Sequence, residues 1–122
     1  MAAEVLAAHG VAVDLFDAMP SVGRKFLLAG KGGLNLTHAE PLERFIERFG
    51  ERASVMATPL RTLGPQALRG WAAALGVATF VGSSGRVFPT DLKAAPLLRA
   101  WLHRLRGSGV RFHMRHRWTG FT

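Results

Sequence analysis

The sequence predicts an α/β fold that is part of a doubly wound parallel sheet. Three observations carry that prediction. A helix-prone run, Met1 to His9, is followed at once by a short β-prone run, Val11-Ala12-Val13-Asp14-Leu15-Phe16. An acid, Asp17, stands where that run ends. Beyond it, helical and strand-like segments alternate down the chain, the pattern of helices packed on a sheet.

Taken in order, the first helix is made of small and apolar residues: Ala2, Ala3, Val5, Leu6, Ala7 and Ala8. Gly10 is the stop signal expected after it. The run Val11 to Phe16 is mostly apolar, which suits a strand covered on both faces. Ala18-Met19-Pro20-Ser21 breaks it. The stretch from Ser21 to Thr37 has poor periodicity and carries Gly23, Gly30, Gly32, Gly33 and the turn-tolerant Asn35. It is expected as a long connection, and long glycine-rich connections in compact domains tend to be functional.

From Pro41 a helix is expected, with Leu42, Phe45, Ile46 and Phe49 at i, i+3, i+4, i+7 and Gly50 after them. A second starts at Pro65, with Leu68, Trp71, Ala72 and Leu75 on one face, and ends at Gly76. Val77 to Val81 is strand-like, and Gly82-Ser83-Ser84-Gly85 is a turn. A third helix runs from about Ala94 to Arg106, with Leu97, Leu98, Trp101, Leu102 and Leu105 together. After Gly107-Ser108-Gly109, Val110, Phe112, Met114 and Trp118 alternate against Arg111, His113, Arg115 and Arg117. That is a strand with one apolar and one basic face.

Composition narrows the function classes. The 122 residues suit a single domain, and 48% of them are apolar. Cysteine is absent, which excludes a disulfide framework, a zinc–thiolate site, a cysteine nucleophile and a redox dithiol within this segment. No stretch reaches the ~18 uninterrupted apolar residues of a membrane helix. With no basic-then-apolar leader at Met1, no secretory signal is expected, and the lack of cysteine makes a reducing cytoplasm the expected location. The net charge of +8 reflects 16 Lys and Arg against 8 acids, scattered rather than clustered. Scattered charge reads first as a solvated surface and second as a surface for an anionic partner.

A helix, a strand and an acid at the strand's end make half of a dinucleotide-binding unit. In that unit a first strand and G-x-G-x-x-G precede the helix, and the acid takes the ribose hydroxyls. Here the helix starts at residue 1, so the first strand and the fingerprint are missing. The glycine-rich connection adds specificity. Glycines let a ligand approach the backbone closely, and consecutive N–H groups are able to form an anion nest. Arg24, Lys25 and Lys31 place positive charge beside it. It is not a Walker A loop, because Lys31 is followed by Gly32 rather than Ser or Thr.

Two separated motifs then point to a family. Gly23-Arg24-Lys25-Phe26-Leu27 with Gly30-Lys31-Gly32-Gly33-Leu34-Asn35-Leu36-Thr37 is the first. Gly85-Arg86-Val87-Phe88-Pro89 followed by Lys93-Ala94-Ala95 is the second. In this order they closely resemble the bacterial BaiN/YhiN-like flavoproteins, the aminoacetone oxidase family of FAD-binding enzymes. The resemblance implies a partial, Rossmann-like FAD/NAD(P)-binding domain of the glutathione-reductase type. Residues 1–122 would form it, with about 110–122 leading toward an inserted domain that lies outside this sequence. It implies FAD as cofactor, NAD(P)H as a further candidate, and a small-molecule substrate of unknown identity. By position, Asp17 would be the ribose acid. Arg24 and Lys25 would lie near the phosphates and the flavin entrance, and Gly32, Gly33 and Asn35 would line the cofactor's path. The loop from Gly82 to Arg86 would approach the flavin or substrate side.

Other residues read more plainly. Trp71 and Trp101 sit on apolar helical faces and are expected in the core. His38, beside the glycine loop, is the histidine to test as a proton donor, and Arg86 either orients an anion or caps a turn. The competing readings are a small basic nucleic-acid-binding domain, using Phe112 and Trp118 for stacking, and a non-functional truncated reading frame. The nucleic-acid reading leaves the glycine loop after a buried strand unexplained.

Overall fold

The computed structural model describes residues 1–121. Thr122, the last residue of the expected domain, lies outside the described residues. The elements are α1 (Ala2–Ala8), β1 (Asp14–Asp17), α2 (Arg24–Ala29), β2 (Thr37–His38), α3 (Leu42–Glu47) and α4 (Ala53–Thr62). They continue with α5 (Pro65–Ala74), β3 (Thr79–Val81), β4 (Arg86–Pro89), α6 (Ala94–Gly107) and β5 (Arg111–Met114).

β1 and β5 pair in parallel, with Asp14 opposite Arg111 and Asp17 opposite Met114. This is the parallel α/β arrangement expected from the sequence. Parallel neighbours need a crossover connection, and here that crossover takes up most of the chain. Within it, β2, β4 and β3 form a second sheet in that order, antiparallel throughout. The β3–β4 hairpin turns at Gly82–Gly85, as the turn residues predict. Strands β2 and β4 are not predicted by the sequence pattern: two and four residues are too short to show alternation.

The connection from Ser21 to Thr37 also differs from expectation, because it contains α2. Phe26, Leu27 and Leu28 are consecutive, so a six-residue helix between glycines shows no apolar repeat. Helix α4 is likewise unexpected, and it carries Pro59 in its interior, where proline ordinarily breaks a helix. The expectation that the first strand is covered on both faces is corrected at Phe16, which is 59% exposed.

The core sits where α2, α5 and α6 meet. Leu34, Ala72, Ala94 and Leu97 form its buried centre, with Phe26, Trp71 and Leu75 packed around them. α6 supplies Ala94, Leu97, Leu98 and Leu105 from one face, as its periodicity predicts. Trp71 and Trp101 meet edge to face, ring centroids 4.9 Å apart.

Both indoles also do something the periodicity does not reveal. They donate Nε1–H to the Glu4 carboxylate, at 3.1 Å from Trp71 and 2.8 Å from Trp101. Arg104 adds Nη1 at 3.0 Å. Glu4 thereby ties α1 to α5 and α6. Burial pushes its carboxyl up, but hydrogen bonds from Arg104, Trp71 and Trp101 outweigh burial and hold it below its ordinary value. A carboxyl depressed by folding adds stability above its unfolded pKa of about 4.3, and loses it as pH falls through the folded value. Glu4→Gln is therefore expected to melt below the parent at neutral pH. The gap in Tm should close as pH drops from about 5 toward 3, a trend thermal melts across pH would reveal.

Candidate functional site

Because the pair is parallel, the carboxyl ends of β1 and β5 lie side by side. In open α/β sheets, ligands bind just outside that edge. The chain leaving β5 folds back on the chain leaving β1. The His116 N–H donates to the Asp17 carbonyl at 3.0 Å, and the Arg115 N–H to the Met19 carbonyl at 3.1 Å. Arg115 takes a φ of +61° in this turn, a conformation disfavoured for a residue with a Cβ. Asp17 closes a tight turn of its own, with Oδ1 accepting the Met19 N–H at 2.8 Å. This bond sets the direction of the carboxylate.

At the opposite end of the strand, Asp14 holds the ladder together. Arg111 donates through Nε at 2.7 Å and Nη2 at 2.6 Å, a two-pronged grip, and His113 donates Nε2–H at 2.7 Å. The Arg111 and His113 hydrogen bonds hold the Asp14 carboxyl well below the usual carboxylate range, and Arg111 is raised in turn. The His113 ring stacks on Phe16 with centroids 4.6 Å apart. Two residues that give the last strand its basic face are thus engaged with β1. A nucleic-acid surface built on that face would first have to release them.

Helix α2 follows Asp17 by seven residues. It starts at Gly23, whose φ is +78° and where a Cβ would stand 2.7 Å from the Leu98 side chain. Phe26 faces inward against Trp101. Arg24, Leu27 and Leu28 fall at i, i+3, i+4 on the other side, and Lys31 extends the stripe. With Ser21 they line a shallow cleft of about 370 Å³. Ser21 Oγ accepts from Arg24 Nε at 3.1 Å and orients the guanidinium. Among the described residues, no carboxylate pairs with Arg24, Lys25 or Lys31.

The glycine loop after α2 does not form the anion nest expected of it. The amides of Lys31, Gly33, Leu34 and Leu36 already donate to the carbonyls of Leu28, Gly30, Leu92 and Val87. Gly30 serves packing, since a Cβ there would collide with that of Ala94. Gly32 and Gly33 border open space, and Gly33 has a φ of +117°. Gly33 offers a ligand room rather than a free amide, and Gly32 offers room.

Of the residues marked in the sequence, Arg24 and Lys31 share the cleft. Asp17, Lys25, Gly32, Gly33 and Asn35 do not line it. Asn35 is exposed between buried Leu34 and half-buried Leu36. His38 is used locally: Nε2–H donates to the Ser84 carbonyl at 3.0 Å, and Nδ1 accepts the Glu40 N–H at 3.3 Å. That ties β2 to the hairpin turn, at whose end Arg86 is exposed. Sequence reasoning misses Ser21, Leu27 and Leu28. Their signal is the stripe itself, which mixes cations with leucines and so shows no apolar periodicity. Among the described residues, no group of three or more His, Cys, Asp or Glu is placed to hold a metal ion, and no helix is long and apolar enough to cross a membrane.

A family model described as the HI0933-like protein Rossmann domain matches residues 1–122. The chain belongs to the HI0933-like family. The match takes in both motifs that resemble the BaiN/YhiN-like flavoproteins. No curated protein matches the chain. The donor set of this HI0933-like domain fits an adenine dinucleotide. A carboxylate at the carboxyl end of a parallel strand suits a ribose diol, and cations without carboxylate partners nearby suit a diphosphate.

The two open glycines separate conformation from space. Gly33→Ala forces a Cβ into a region L residues avoid and is expected to cost about 1–2 kcal/mol. Gly32→Ala meets nothing and should stay within about 0.5 kcal/mol of the parent. Urea unfolding of the two variants measures the difference.

Proposed function

We propose that this chain carries part of the FAD site of an oxidoreductase. The observation that carries the reading is Asp17 at the carboxyl end of β1, in parallel register with β5, within a HI0933-like Rossmann domain. In this reading the Asp17 carboxylate accepts hydrogen bonds from the adenosine ribose, its direction already set by the Met19 amide. Arg24 and Lys25 neutralise phosphate charge near the flavin entrance. Gly32, Gly33 and Asn35 border the cofactor's path, where the missing side chains at 32 and 33 leave room. The loop from Gly82 to Arg86, held by His38, lies toward the flavin or substrate side.

The chemistry supplied by bound FAD is hydride exchange with NAD(P)H or a small organic molecule. The chain's own residues bind and orient, and none of them is assigned a catalytic proton. Residues 1–122 form part of the FAD domain in this proposal, with the segment from about 110 leading toward an inserted domain. A cytoplasmic location belongs to the same reading.

The full-length natural protein is expected to purify yellow, with flavin absorbance and FAD released on denaturation. Asp17→Ala should lower FAD content several-fold while the far-UV spectrum stays that of the parent. Parent protein with no affinity for FAD would overturn the reading. Unchanged FAD content in Asp17→Ala would overturn the ribose assignment alone.

A further inference from the structure

We infer that His38 is a positioning residue and not a proton donor: with its hydrogen on Nε2, its ring holds the Gly82–Gly85 turn, and Arg86 after it, on the flavin side of the site. What the turn faces rests on the FAD reading above; the hold itself does not. Both ring nitrogens are occupied by backbone groups. Nε2 lies 3.0 Å from the Ser84 carbonyl, which is able only to accept, so the hydrogen sits there. Nδ1 lies 3.3 Å from the Glu40 N–H, which is able only to donate, so that nitrogen accepts. The Glu40 carboxylate stands 3.4 Å from Nδ1 but 2.5 Å from Arg48 Nε, so its charge is met by the arginine rather than by the ring. Neither nitrogen is left to exchange a proton with a substrate.

The ring and the turn are fitted to each other. Gly85 has a φ of +77°, and a Cβ there would stand 2.6 Å from His38 Cε1 and 2.7 Å from Nε2. The imidazole thus fills the place that a side chain at 85 would take. Its bond to Ser84 spans 46 residues of sequence and joins β2 to the turn. Around it, the Gly85 N–H donates to the Gly82 carbonyl at 2.9 Å, and the Ala39 N–H to the Gly85 carbonyl at 2.8 Å. The ring therefore locks a turn that its own backbone already closes. Arg86 follows, opposite His38 in the β2–β4 register. It is exposed and pairs with no carboxylate among the described residues. Val87 beside it is buried, so β4 is anchored on one side of Arg86 and His38 fixes the other. A cation held in one place beside a flavin tunes its electronics, which gives this strut a function beyond packing.

The test uses the full-length natural protein with two variants. His38→Gln keeps a donor near the Nε2 position, and His38→Leu keeps bulk but loses the donor. Hydrogen exchange at the Ser84–Arg86 amides should quicken about fivefold in His38→Leu, the loss of one hydrogen bond. In His38→Gln it should stay within about twofold of the parent. The visible band of bound FAD should shift in His38→Leu and match the parent in His38→Gln, with FAD content unchanged in both. In the parent, nitrogen NMR of the ring at about pH 8 should show the hydrogen on Nε2. A hydrogen on Nδ1, parent-like exchange in His38→Leu, or a His38→Gln protein as loose as His38→Leu overturns the inference. A flavin band that stays put while the turn loosens overturns the placement of the turn beside the flavin. If the parent binds no FAD, the FAD reading itself has failed, and the exchange and NMR results still decide whether His38 holds the turn.

Discussion

The structure depends on two strands from opposite ends of the chain lying parallel. Asp14 and Arg111 are 97 residues apart, yet they share a doubly hydrogen-bonded ion pair at the start of the ladder. Parallel pairing rules out a hairpin and requires a crossover through the intervening chain. It also brings two carboxyl ends together, which is what creates an edge able to receive a ligand. The Asp17–Met19 turn and the Arg115–His116 turn are then stitched to each other by backbone bonds. The direction of the Asp17 carboxylate follows from the Met19 amide in the first of these turns rather than from any side chain beside it.

The crossover needs its own anchor, and Glu4 supplies it. One carboxylate takes hydrogen bonds from α5 and α6 through two indoles and a guanidinium. A half-buried acid without such partners would cost stability; with them it joins three helices. The glycines divide the remaining work. Gly23 and Gly30 let α2 approach α6 at Leu98 and Ala94, which turns the Arg24 and Lys31 stripe outward. Gly33 satisfies a backbone conformation, and Gly32 leaves space. A glycine-rich motif thus serves packing, conformation and access at once.

Much of this is legible in the sequence, for physical reasons. Helices α5 and α6 are legible because Leu68, Trp71, Ala72, Leu75 and Leu97, Trp101, Leu105 repeat at helical spacing. The parallel class is legible from an apolar run behind a helix, closed by Asp17. Helix α2 is not, because its inward face is essentially Phe26 between two packing glycines. Strands β2 and β4 are too short to alternate, and α4 is masked by Pro59. The Asp14–Arg111–His113 and Glu4–Trp71–Trp101–Arg104 clusters join residues far apart in sequence, so no local pattern announces them. In the glycine loop, spacing does not tell which amides are already bonded, and those of Lys31, Gly33, Leu34 and Leu36 are.

Hydrogen exchange of the full-length natural protein, with and without FAD, tests the central claim most directly. Added FAD should slow exchange at the Asp17–Met19 turn and from Ser21 to Leu36, while α3 and α4 exchange as before. Protection confined to α3 and α4, or none at all on flavin binding, would contradict the claim that the carboxyl edge of β1 and the α2 cleft receive the dinucleotide.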